Sequence, residues 1–188
     1  MQERRDYPFA IAGLADVEME KGNYEAAETL LEKACAIIPE FSFYEQLATL
    51  YQATGREGQA KETIEEILLM LEDDEANGHN MTMEFAALHL HYTGDYEKAL
   101  EYAMKEYNIR PENIAVNGLL AQIYFEMNEQ EKAANHIEKA MITNSKNPDW
   151  LALIDKVKTK TGKVIKEEED NETALIGKST AGIPTSAN

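Results

Sequence analysis

Apolar residues recur every three or four positions through most of the 188-residue chain. That spacing places them on one face of an α-helix. Ile11, Leu14, Ala15 and Val17 form a first stripe, which stops at Gly22. Tyr24, Ala27, Leu30, Leu31, Ala34 and Ile38 form a second, closed by Pro39. The alternation then repeats, with Tyr44, Leu47, Ala48 and Tyr51 before Gly55 and Ala60, Ile64, Ile67, Leu68 and Leu71 after it. Farther along, Leu120, Ala121, Tyr124 and Phe125 precede Asn128, and Ala133, Ile137, Ala140 and Met141 follow it. The predicted unit is helix, tight turn, helix. The turn residues Gly22, Gly55, Gly94 and Asn128 stand 33, 39 and 34 residues apart. Ala27, Ala60, Ala99 and Ala133, one turn into each second helix, keep the same spacing.

Four repeats are therefore predicted, at about 8–40, 41–74, 80–113 and 114–147. Pro8 suits a first helical turn, where its missing N–H would be unpaired anyway. Ser42-Phe43-Tyr44-Glu45 reads as a capping box for the second repeat, and Asn113 as a cap for the fourth. The five extra residues of the long spacing fall in 72–79, around Asn77-Gly78. They predict an elongated helix end and a loop. Asn147-Pro148-Asp149-Trp150 opens a further helix over 148–160, whose stripe of Trp150, Leu151, Ile154 and Val157 would cover the last apolar face. The repeat domain is thus expected over 1–162. Residues 163–188, with the run Glu167-Glu168-Glu169-Asp170, are expected to be an acidic, disordered tail.

These residues resemble the tetratricopeptide repeat family over about Pro8 to Lys160. The match is strongest in the third repeat, at Gly94-Asp95-Tyr96, Ala99 and Pro111. Small residues also stand where helices of the family cross closely: Ala15, Ala48, Ala87 and Ala121 in first helices, and the four repeat alanines in second helices. Ile67 and Glu106 depart from the small residue expected late in the second helix, and the fourth repeat's proline comes late, at Pro148. The resemblance implies an all-α fold, a right-handed α-solenoid of about four repeats with a C-terminal capping helix. It also implies a non-enzymatic protein-interaction module with a concave groove lined by first helices.

Carried onto this chain, the groove positions are Asp16 and Glu20, then Glu45, Gln46 and Thr49. Glu84, Phe85, Leu88, His91 and Tyr92 follow, and then Gln122 and Phe125. No lysine or arginine is among them, which excludes a clamp for a partner's C-terminal carboxylate. The expected partner is a neutral, amphipathic or basic segment of another protein, with Phe85, Tyr92 and Phe125 as apolar anchors. The alternative is a structural role, as the C-terminal repeats of a larger tetratricopeptide protein that self-associates or caps a longer solenoid. The first repeat has no helix before it, so homo-oligomerisation through that edge is also expected.

Charge narrows the partners further. Lys and Arg number 18 against 35 Asp and Glu, a formal net charge of −17. Such a surface repels nucleic acid and anionic membrane. No cofactor, metal or catalytic residue is expected: His89 and His91 are two apart and diverge on a helix, and no nucleophile–base pattern is present. The single cysteine, Cys35, sits in an apolar stripe and is expected to be an inert thiol. A charged N-terminus without an apolar core predicts a cytoplasmic location.

Overall fold

The computed structural model describes residues 7–161; the tail expected at 163–188 lies outside the described residues. Those residues are helical, joined by short turns. The order is α1 (Pro8–Glu20), α2 (Tyr24–Ile37), α3 (Phe41–Ala53), α4 (Glu57–Ala76) and α5 (Thr82–Leu88), then a π-helical turn (His89–Thr93). α6 (Tyr96–Ile109), α7 (Ile114–Glu126), α8 (Gln130–Ala140), a 3₁₀ turn (Met141–Thr143) and α9 (Pro148–Thr161) follow. They form two compact units that divide between Tyr102 and Ala103, within α6.

In the first unit the hairpins α1–α2 and α3–α4 share a core of Ile11, Leu31, Phe43 and Leu50. Burial of each large side chain stabilises by roughly 1.5–3 kcal/mol. Ala15, Ala27, Ala34 and Ala48 have no exposed surface. Their methyl groups let helix backbones approach closely, as the repeat pattern requires. The turns are left-handed, with φ of 78° at Gly22, 72° at Gly55, 69° at Gly94 and 62° at Asn128. A residue with a Cβ is strained there, and asparagine tolerates it best. Arg56 grips both Glu28 carboxylate oxygens at 2.9 Å and stacks on Tyr51, tying α4's start to α2.

Two local expectations are corrected. The Ser42–Glu45 capping box does not form: α3 begins at Phe41, its N-cap is Glu40, and Ser42 Oγ donates to the Glu40 carboxylate instead. The first helix of the third repeat is not a continuous α-helix. α5 has seven residues, and the chain then widens into the π-helical turn. Thr93 Oγ1 donates to the His89 carbonyl at 3.3 Å, the acceptor an α-helical N–H at 93 would use. The same oxygen accepts from Asp95 N at 3.2 Å and lies 3.0 Å from His89 Nδ1. With its proton committed to the carbonyl, it leaves Nδ1 of His89 as the donor. His89 is buried and its pKa is lowered, first by burial and then by Lys98.

In the second unit α7 and α8 form a regular hairpin. Asn113 Oδ1 accepts from the backbone N–H groups of Ala115 and Val116, and Asn147 does the same for Asp149 and Trp150. Both expected caps are present. Buried Asn117 donates to the carbonyls of Pro111 and Asn113 at 2.8 and 2.9 Å. Its Oδ1 must then accept from His136 Nδ1, 2.9 Å away. The His136 ring lies between Tyr124 and Tyr107. Glu106, at the position where the family has a small residue, is 1% exposed and pairs with Arg110 one turn on. α9 seats Leu153, Ile154 and Val157 in the core. Its Trp150 lies on Gly118 of α7, where a Cβ would come within 2.3 Å of the indole.

Candidate functional site

The first helices carry an unusual charge distribution. α1, α3, α5 with its π-helical turn, and α7 contain no lysine or arginine. Every basic residue in a described helix belongs to α2, α4, α6, α8 or α9. On the first helices of the first unit, side chains expected to line a groove touch one another. Gln46 Nε2 of α3 donates to Asp16 Oδ2 of α1 at 3.1 Å. The Tyr92 hydroxyl, from the π-helical turn, lies 3.1 Å from Thr49 Oγ1 and 3.2 Å from the Glu45 carbonyl. Thr49 Oγ1 is 2.9 Å from that same carbonyl. Two hydroxyl protons therefore serve three oxygens, and Tyr92 acts as a strut between the second and third repeats.

The electrostatics along this face are strained in one direction. Burial, then the charges of Glu84 and Glu40, push the Glu45 carboxyl up to about 6. Burial, then Glu20, raises Asp16 above the ordinary carboxylate range. Burial also raises the Tyr92 phenol. The causes of these shifts are burial and neighbouring carboxylates, so a positive charge arriving there would relieve repulsion as well as gain attraction. Beside Tyr92 a cavity of about 440 Å³ opens, bounded by Gln52, Ile64, Leu68 and Thr93. The last two apolar residues come from α4, whose stripe reads in sequence as core.

Other expected groove residues are placed differently. Phe85 is 3% exposed and Leu88 is fully buried, so neither is an anchor for a partner. Phe85 stacks on Tyr102 at 4.9 Å, and His89 stacks on the same ring. The cause is register: the expected positions count from Ala87 as the close-packed alanine, whereas Ala86 is the one with no exposed surface and Ala87 is only half-buried, which turns Phe85 and Leu88 of α5 inward. Glu84 is half-buried, while Asp16, Glu20, Thr49 and His91 are exposed. In the second unit Gln122 and Phe125 lie on α7. The Phe125 ring is covered by Lys160 at 4.4 Å and faces Lys156 at 6.0 Å, both from α9. The sequence placed those lysines on the polar side of α9, and their approach to Phe125 was not legible because that helix was read only as a cap.

Family models of the tetratricopeptide repeat match residues 10–41, 41–70 and 90–157. The chain belongs to the tetratricopeptide repeat family. A comparison with solved structures finds the chain described as "MamA AMB-1 P212121", 16% identical, with a TM-score of 0.42 over 82% of each chain. No curated protein matches. Tetratricopeptide repeats are in general non-enzymatic and mediate protein–protein interaction, which makes this chain a protein-interaction repeat module. No described helix is long and apolar enough to cross a membrane. Among the described residues no group of three or more His, Cys, Asp or Glu is placed to hold a metal. Burial raises the Cys35 thiol to about 11, which keeps it protonated at neutral pH.

Proposed function

We propose that the first-helix face of the first unit holds a basic or amphipathic segment of another protein, without gripping that partner's C-terminal carboxylate. The observation that carries this is the absence of lysine and arginine from α1, α3, α5 and α7, beside Asp16, Glu20, Glu45 and Glu84. A free carboxylate would meet only like charge there. A lysine or arginine would meet carboxylates already destabilised by burial and by each other. The Tyr92 cavity supplies the place for an apolar side chain of the same segment. The Tyr92–Thr49 strut holds the two sides of that face together before binding, which limits the ordering cost. Affinity capture from the native host, with bound segments mapped by cross-linking, tests this. The double variant Glu45→Lys, Glu84→Lys should lose the partners held by basic segments. Unchanged capture by that variant rejects the reading.

A second reading rests on α1. Phe9, Leu14 and Val17 are 47%, 57% and 42% exposed, an apolar edge of the kind a neighbouring repeat covers. On this reading the module stacks against further repeats or a second copy. Sedimentation of Leu14→Glu, Val17→Glu against wild type checks it: a wild-type assembly dissociates in the variant, and a wild-type monomer removes self-stacking.

A further inference from the structure

α4 is 20 residues long, against 14 for α2 and 14 for α6. Taking the spacing of 33 between the first two repeats, the end of α2 at Ile37 corresponds to Met70. The helix that continues from Leu71 to Ala76 is therefore additional, and it accounts for the long spacing between Gly55 and Gly94. This extension builds a wall. Together with the loop before α3 and the start of α3, it encloses a cavity of about 530 Å³. Phe41, Tyr44 and Met70 line it, with Leu69, which is 65% exposed. Glu66, Asp73 and Asp74 stand on the α4 side, with Glu40 across from them. Among the described residues no lysine or arginine lines it. Its lining residues are other than Asp16, Glu45, Glu84 and Tyr92, and Glu40 is the one whose charge also acts on Glu45.

A leucine kept 65% exposed on a helix flanked by carboxylates is an unsatisfied apolar surface with a fixed charge preference. We propose that this cavity is a second docking surface. It takes a peptide segment bearing one large apolar side chain flanked by lysine or arginine. The apolar side chain would enter against Phe41, Leu69 and Met70, and the flanking cations would pair with Glu66, Asp73 and Asp74. The extension supplies two of those three carboxylates, so the insertion itself creates the specificity. A carboxylate-flanked segment would be repelled by the same groups.

The test uses the full chain and fluorescence polarisation with three labelled probe peptides. One has a central phenylalanine between lysine pairs; its twins replace the lysines by glutamate or the phenylalanine by glycine. The lysine–phenylalanine peptide should bind and the twins should bind at least tenfold more weakly. Asp73→Lys with Asp74→Lys should weaken the first peptide at least tenfold, and Leu69→Ser about fivefold. All three positions are on the surface of α4, and circular dichroism confirms that the helices persist. Glu45→Lys with Glu84→Lys should leave this binding unchanged, so failure here is distinct from failure of the first-helix reading. The proposal is overturned if no peptide binds, if the twins bind equally, or if the α4 variants bind as wild type does. It is also overturned if wild type sediments as a dimer that Leu69→Ser dissociates, because the occupant would then be a second copy.

Discussion

α5 and α7 are the first helices of successive repeats, yet they are built differently. α7 runs as 13 regular residues from an asparagine cap, and its own unit then covers it. Trp150 lies on Gly118, and Lys160 lies over Phe125. α5 stops after seven residues, and the π-helical turn sends Tyr92 to Thr49 and Glu45. On that face Asp16 and Glu20, and Glu45 with Glu84 and Glu40, are set against one another by like charge. The difference shows that one repeat signature specifies a hairpin but leaves open what its first helix does with its outer surface. In the second unit that surface is used for closure. In the first it carries the Tyr92–Thr49 contact and the raised Glu45 carboxyl, and a π turn at such a place often accompanies a functional role.

The largest expected effect removes closure of the second unit. Gly118→Ala puts a methyl group 2.3 Å from the Trp150 ring and forces α9 to shift, an overpacking cost of about 2–3 kcal/mol. Trp150 is the single tryptophan, so urea unfolding followed by its fluorescence reports α9 directly. A midpoint equal to wild type would mean that α9 is not held by this contact.

A smaller loss is expected at the turn that ends the first unit's π segment. Gly94→Val places a β-branched residue at φ 69° and should destabilise by about 1–2 kcal/mol. Thermal unfolding checks it, and Gly94→Asn should recover part of the loss. If valine and asparagine are equally tolerated, the left-handed turn is not a constraint.

Glu45 separates the open face from the closed one by pH. Its carboxyl titrates at about 6 in the folded chain, against 4.5 for the free group. Below pH 4.5 it is protonated in both states and contributes nothing to the pH dependence. Between 4.5 and 6 the unfolded chain ionises first, so stability falls as pH rises, and above 6 the cost is complete. Glu45→Gln should therefore stabilise by about 1 kcal/mol at pH 8, after allowance for partial solvent screening, and by nothing at pH 4. Paired melting curves at the two pH values give the answer. A gain that is the same at both would remove the charge argument. The smallest effect is expected for Tyr92→Phe, which loses the hydroxyl bonds to Thr49 and Glu45 at about 0.5–1 kcal/mol. An unchanged urea midpoint would show that the strut is not stabilising.

Much of this was legible in the residues. The left-handed turns, seven of the eight alanine crossings and the caps at Asn113 and Asn147 depend on chemistry within a few positions of each residue and stand where expected; the exception is Ala87, half-buried beside the fully buried Ala86. The candidate site was legible only in part. Asp16, Glu45, Gln46, Thr49 and Tyr92 meet, but Phe85 and Leu88 were assigned outward because the register of α5 was counted from Ala87, while Ala86 is the buried alanine. The π turn, within which Thr93 Oγ1 bonds the His89 carbonyl and accepts from Asp95 N, has no periodic signature. Ser42 was assigned a cap because its pattern allows one, while the actual helix start two residues earlier gave its hydroxyl another partner.

The sequence by itself determined the repeat unit, its period and the acidic, base-free character of the first helices. Those properties are written in local propensity and composition, which need no distant partner. Only the tertiary structure decided what the outer surfaces of those helices contact, α9 on α7 and Tyr92 on α3. That choice rests on contacts between residues far apart in the chain, such as Gly118 with Trp150 and Thr49 with Tyr92, where the fit of one side chain against another selects the outcome.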